Sequence, residues 1–169
     1  MPKLIIIRGN SGSGKTTLAK NLQHKFGRNT MVISQDVVRR EILWVQDKPG
    51  NEAVGLMIDL LKYGAKHCEI VILEGILYSD IYKPLFEAAV DIFKEDIYAC
   101  YYDISFEETI VRHATKRNSF SFGKEEMRRW WREKDYIGFI EENRITSDCS
   151  LTEVVNKIYI DVKNSYGLI

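Results

Sequence analysis

Gly9 to Thr16 reads G-N-S-G-S-G-K-T, between the apolar run Leu4–Ile7 and a segment from Lys15 with Leu18, Leu22 and Phe26 at i, i+4 and i+8. It fits the pattern G-x-x-x-x-G-K-[ST] at every fixed position, and the order strand, glycine-rich turn, helix is the context that the pattern needs. Glycines let successive backbone N–H groups turn into one concavity, and the helix that follows adds partial positive charge at its N-terminus. Such a concavity binds phosphate. The stretch Gly9, Asn10, Ser11, Gly12, Ser13, Gly14, Lys15, Thr16 and Thr17 is therefore the candidate nucleotide-binding segment. Lys15 supplies a full charge for the β- and γ-phosphates, and Thr16 a hydroxyl for Mg²⁺.

Outward from this stretch, short apolar runs alternate with helical-period segments, the pattern of a parallel α/β sheet. Strands are expected at Leu4–Ile7, Met31–Ile33, Ile70–Leu73, Ile97–Tyr102 and weakly at 143–147. Helices are expected at 15–26, 36–45, 52–66, 80–94, 106–117 and 124–135, with a last one carrying Leu151, Val154, Val155, Ile158 and Val162 on one face. Ser105 with Glu108, and Ser150 with Glu153, spell capping boxes. The expected fold is a three-layer α/β sandwich with a five-stranded parallel sheet, in one domain over 1–169, with a helical lid at about 112–135.

Composition narrows the class. The 169 residues are 45% hydrophobic and 28% charged, which is ordinary for a globular chain, and 24 basic residues balance 24 acidic ones. A global affinity for nucleic acid or anionic membrane is not indicated. Cys68, Cys100 and Cys149 are odd in number and widely spaced, so they read as small hydrophobes in a reducing compartment. No apolar run is long enough for a signal peptide or a membrane span, and a soluble cytoplasmic protein is expected. His24, His67 and His113 share no metal-ligand spacing, and His113 falls on the core-facing side of its helix.

With its phosphate motif complete, the chain resembles the P-loop nucleoside triphosphate-binding proteins. It has no N-K-x-D motif of a switch GTPase and no LSGGQ-like signature of a transport ATPase. Asp135 to Gly138 spells D-x-x-G but follows a helix, and is taken as coincidence. A small phosphoryl-transfer kinase remains. Ser34-Gln35-Asp36-Val37-Val38-Arg39-Arg40 follows the second strand. Ligands of open α/β sheets bind beyond the carboxyl ends of the strands, so Asp36 would sit near a γ-phosphate and Arg39 beside it, able to hold an anionic or polar acceptor. The same aspartate also fits a helix N-cap. This D-x-x-R pair resembles the polynucleotide kinase, zeta-toxin and chloramphenicol phosphotransferase group, and the resemblance makes Asp36 the catalytic base. The stretch YYDISFEETIVRHATKR at 101–117 is similar to the segment leading into the lid of polynucleotide kinases.

IVILEGIL at 70–77 closes an apolar strand in an acid, a Walker B pattern, and its E-G-I-L resembles uridine kinases. Glu74 is then a candidate to bind substrate or to orient Mg²⁺ through water, although a strand-end carboxylate in solvent fits the pattern too. Residues 112–134 carry eight basic side chains against three acids, while 87–108 carry seven acids against one lysine. The basic segment resembles the lid of small kinases. Arg112 and Arg117 are the candidates to stabilise a moving phosphoryl group. A solvated basic helix pair would look the same. Trp130, Trp131, Phe120 and Phe122 could stack an aromatic acceptor or pack the lid on the core.

Together these readings predict an ATP- and Mg²⁺-dependent kinase acting on a hydroxyl of a small molecule such as a nucleoside, a sugar nucleotide or an antibiotic-like compound. A 5′-hydroxyl polynucleotide kinase, and a nucleotide-dependent ATPase or regulator, are the alternatives.

Overall fold

The computed structural model describes residues 1–115 and 122–165. Five parallel strands, β1 (Lys3–Gly9), β2 (Thr30–Ser34), β3 (Ile70–Gly75), β4 (Ile97–Tyr102) and β5 (Glu142–Ile145), form one sheet in the order β2-β3-β1-β4-β5. The α-helices are α1 (Lys15–Phe26), α2 (Glu52–His67), α3 (Lys83–Phe93), α4 (Phe106–Ala114), α5 (Lys124–Trp130) and α6 (Leu151–Asn164).

The central strand explains the layering. Alternate side chains of a strand face opposite sides of the sheet. Leu4 and Ile6 of β1 join Met57 and Leu61 of α2 and Leu85, Phe86 and Ala89 of α3 in one core. Ile5 and Ile7 join Leu18 and Leu22 of α1 and Val155, Ile158 and Val162 of α6 in the other. A strand buried on both faces must be apolar at every core position, which is why the run is continuous. Each such buried side chain stabilises the fold by roughly 1.5–3 kcal/mol. The three-layer α/β sandwich with a five-stranded parallel sheet is as the sequence predicts.

Local details differ. Residues 37–42 form a π-helix, closed by Leu43 N–H donating to Val38 O at 3.0 Å, rather than the α-helix expected over 36–45. Six residues are too few for periodicity to separate the two. The helix expected over 80–94 begins at Lys83, because Ser79 is held by Asp135 and Tyr82 N–H already closes a turn on Tyr78 O at 3.0 Å. The helix expected over 124–135 ends at Trp130. Trp131 is extended (φ −66°, ψ 130°), and Arg132 N–H leaves to donate to Asn10 Oδ1 at 2.9 Å. The helix expected over 106–117 is seen to Ala114, and residues 116–121, Arg117 and Phe120 among them, lie outside the described residues. At Ser150 and Glu153 both capping-box bonds form, at 3.2 and 2.8 Å. At Ser105 only one forms, since the Glu108 carboxylate turns to Arg112 at 2.8 Å.

Candidate functional site

The loop Gly9–Gly14 leaves the carboxyl end of β1 between β3 and β4 and enters α1 at Lys15. Gly12 has φ +80°, where an L side chain is strained, and a Cβ there would lie 2.7 Å from Thr109 O and 2.8 Å from Met127 Cε. The loop thus lies directly against α4 and α5. Lys15 is buried and folds back over the loop, with Nζ donating to Asn10 O at 2.8 Å and Ser13 Oγ at 3.3 Å. The Asn10 side chain faces the other way. Its Nδ2 donates to Arg132 O at 2.7 Å while its Oδ1 accepts from Arg132 N–H. One residue of the loop therefore holds both the lysine and the segment leaving α5.

Parallel pairing of β2 with β3 sets Ser34 opposite Glu74. Glu74 is 2% exposed, and its Oε1 accepts from Ser34 Oγ at 2.5 Å and from Thr16 Oγ1 at 3.3 Å. A strand-end carboxylate in solvent is thereby excluded. Thr16 and Glu74 offer hard oxygen donors of the kind Mg²⁺ takes, and Mg²⁺ keeps several waters rather than needing a full protein cage. Among the described residues no cluster of three or more His, Cys, Asp or Glu has metal-site geometry.

Asp36 enters the π-helix with helical backbone angles and makes no capping bond, so the N-cap reading fails. Its carboxylate is 60% exposed, and Oδ1 lies 3.5 Å from both Arg39 Nη2 and Arg40 Nε. A π-turn is wider than an α-turn, and here both guanidiniums flank one carboxylate oxygen. Asp36 lines two adjoining cavities. One, of about 330 Å³, is the phosphate cavity, bounded by Ser11, Gly12, Lys15, Thr16, Glu74 and His113. The other, of about 400 Å³, is bounded by Arg39, Arg40, Gln46, Asp47, Tyr78 and Trp130. Ser11, Arg40, Ile76 and Phe122 line both.

Arg112 sits elsewhere. Its Nη1 donates to Ser13 O at 2.8 Å and its Nε pairs with Glu108 at 2.8 Å. It lines a third cavity, of about 460 Å³, with Gly14, Thr17, Tyr102, Cys149 and Leu151. That cavity lies on the α1 side of the loop, so Lys15, Asp36 and Glu74 come together without Arg112. His113 is buried and lines the phosphate cavity, its Nε2 3.0 Å from Phe122 O and its ring stacked on Phe122 at 4.6 Å. Trp131 packs edge-on against Phe106 at 5.4 Å, whereas Trp130 and Phe122 turn to the acid-lined cavity.

Several residues here escaped the sequence reading. Arg8 is 0% exposed. Its guanidinium donates to Leu77 O at 3.0 and 2.9 Å, to Asp135 Oδ2 at 3.0 Å and to Glu142 Oε1 at 2.8 Å. Asp135 in turn accepts from Ser79 N–H at 2.8 Å and Ser79 Oγ at 2.6 Å. The D-x-x-G taken as coincidence thus contains an anchor that ties the loop after β3 to the segment after α5. A signal existed: an arginine inside a strand buried on both faces must be paired. Tyr78 donates to Trp130 O at 2.7 Å and carries the Arg132 guanidinium 3.9 Å above its ring. Burial, then Asp47, push its hydroxyl up to about 12, so it stays a donor at any working pH. Arg132 also binds Asp80 at 2.6 Å, which holds the Asp80 carboxyl below the usual range. Asp47, with no motif to mark it, accepts from Tyr82 Oη at 2.5 Å and Gln35 Nε2 at 3.3 Å.

Residues 4–75 match the model of a family described as an AAA domain. The span ends with β3 and so contains the phosphate loop, Asp36 and Glu74. No curated protein matches the chain. Among solved structures, a gluconokinase from Sinorhizobium meliloti aligns at TM-score 0.68 and 17% identity, over 98% of this chain and 96% of that one. The Mycobacterium tuberculosis APS kinase, solved with AMPPNP and APS, aligns at 0.61 and 17% over 96% and 98%. A shikimate kinase from Aquifex aeolicus aligns at 0.52 and 18%, over 96% and 98%. At these identities the likeness is one of fold, and the chain has the P-loop kinase-like fold.

Proposed function

We propose that this chain is an ATP- and Mg²⁺-dependent kinase that transfers the γ-phosphoryl group to a hydroxyl of a small molecule: a nucleoside, a sugar nucleotide or an antibiotic-like compound. The observation that carries this reading is the position of Asp36, which lines both the phosphate cavity and the cavity beside it. A hydroxyl entering from one side would meet a phosphoryl group held in the other, with a carboxylate at the junction.

In this reading the amides of Gly9 to Thr17 and the Lys15 ammonium hold the triphosphate, and the cavity bearing Arg112, Tyr102 and Leu151 takes the nucleobase. Thr16 and Glu74 would hold Mg²⁺, which supplies charge neutralisation between the β- and γ-phosphates. Asp36 accepts the proton of the attacking hydroxyl as the new O–P bond forms, and the bond to the β-phosphate oxygen breaks to leave ADP. Arg39 holds the acceptor. Arg117 lends charge to the moving group, and Arg112, tied to Ser13 O, acts on the nucleotide. The kinases among the structures of similar fold support the kinase reading.

A second reading, a 5′-hydroxyl polynucleotide kinase, draws on Tyr78, Phe122 and Trp130 lining the acceptor cavity beside two arginines, since aromatic rings and guanidiniums also stack bases. Labelled ATP offered to pooled hydroxyl metabolites and, separately, to a short 5′-hydroxyl oligonucleotide decides between them. Label in a small-molecule product supports the first reading, label on the oligonucleotide the second. Fast phosphate release without any acceptor contradicts both and favours an ATPase or regulator.

A further inference from the structure

The acceptor cavity is unusual in its mixture of charge. The described residues lining it include two carboxylates, Asp36 and Asp47, and two guanidiniums, Arg39 and Arg40. Asp47 is fixed from behind: Tyr82, 0% exposed, and Gln35 occupy one site on each of its oxygens. A carboxylate has about four acceptor sites, so acceptor capacity remains. Arg39 is fixed too, but loosely, with Nη1 3.4 Å from Val45 O and Nη2 3.5 Å from Asp36. Among the described residues, three buried side-chain atoms have no partner: the donor Arg39 Nε in the wall of this cavity, Gln35 Oε1, which lies beside Gly75, and His113 Nδ1 in the wall of the phosphate cavity. Buried polar atoms of this kind are commonly completed by ordered water or a bound group.

Resting on the kinase reading above, we propose that the acceptor is a neutral polyhydroxyl ring, a sugar or the sugar of a nucleoside, read by Asp36, Asp47, Arg39 and Arg40 against Tyr78 and Trp130. A hydroxyl both donates and accepts, so a ring of hydroxyls can satisfy acceptor-only carboxylates and donor-only guanidiniums at once. Two carboxylates and two guanidiniums balance, so the lining carries no net charge that would favour an anionic or a cationic acceptor over a neutral polyol. The aromatic rings offer apolar surface to the C–H face of such a ring.

The test offers γ-labelled ATP with four separate pools: neutral sugars and nucleosides, hydroxy carboxylates, sugar phosphates, and a 5′-hydroxyl oligonucleotide. Label in the neutral pool is expected. For the best acceptor of that pool, Asp47→Asn should raise the acceptor KM about tenfold or more with the ATP KM unchanged, because one acceptor site becomes a donor. Asn keeps an oxygen for Tyr82, and a thermal melt checks the fold. Arg40→Gln, at a half-exposed side chain, gives a second variant with the same expected direction. Label confined to any other pool overturns the polyol assignment and leaves the kinase reading standing. An unchanged acceptor KM in both variants overturns it as well. No label in any pool overturns both.

Discussion

The two cavities that meet at Asp36 are built on opposite plans. On the phosphate side most polar groups are answered from within, His113 Nδ1 excepted. Lys15 folds onto Asn10 O and Ser13 Oγ, both amide atoms of Asn10 bind Arg132, and Glu74 holds two hydroxyls. On the acceptor side Arg39 is held only by contacts of 3.4 and 3.5 Å, its Nε has no partner, and Asp36 stands 60% exposed. A site for a ligand common to many proteins can be written into one stretch of backbone. A site for one particular acceptor is assembled from side chains far apart in sequence and is completed by that acceptor.

The contrast is open to attack by substitution, and the largest effect should come at the junction. Asp36→Asn should lower the transfer rate by roughly 100- to 10,000-fold while nucleotide affinity holds, read by steady-state kinetics beside a binding titration. Equal losses in rate and nucleotide affinity would mean that the two sides are not separable. Arg8→Met leaves Glu142 buried without its cation and Asp135 with only Arg132, 3.9 Å away. Breaking a buried ion pair in this way should cost about 3–5 kcal/mol of stability, seen by chemical denaturation. A variant as stable as the parent would remove Arg8 from its anchoring role. Gly12→Ala should cost about 1–3 kcal/mol through strain at φ +80°, with weaker nucleotide binding, because the added methyl meets Thr109 O and Met127 Cε. The smallest effect sharpens the assignment of Arg112. Tied to Ser13 O, it should act on nucleotide binding, so Arg112→Ala should raise the ATP KM by a few-fold, about one lost hydrogen bond, with kcat nearly unchanged. A fall in kcat alone would return it to the moving phosphoryl group.

What the sequence shows follows the same division. The phosphate loop and the strands were legible because their causes are local: glycine dihedrals, an apolar run, helical spacing. Asp36 and Glu74 could be singled out because one follows and the other closes a strand, and strand ends converge on one edge of a parallel sheet. The acceptor wall was not legible. Asp47 reaches it through a loop without a motif, and Arg40 enters through a π-turn that six residues of sequence cannot distinguish from an α-turn. Asp135 bore a pattern that pointed to the wrong chemistry. Arg112 was visible as a lid cation, but its tie to Ser13 depends on how α4 lies over the loop.

In the proposed mechanism, Lys15 and the loop amides grip a nucleotide's phosphates independently of the residues that hold the acceptor. Isothermal titration of Mg²⁺–AMPPNP into the parent, Lys15→Ala and Asp36→Asn proteins tests it most directly. One-site binding is expected in the parent and in Asp36→Asn, and its loss in Lys15→Ala. A folded parent protein that takes up no Mg²⁺–nucleotide, or a Lys15→Ala variant that binds it as tightly as the parent, would contradict the account.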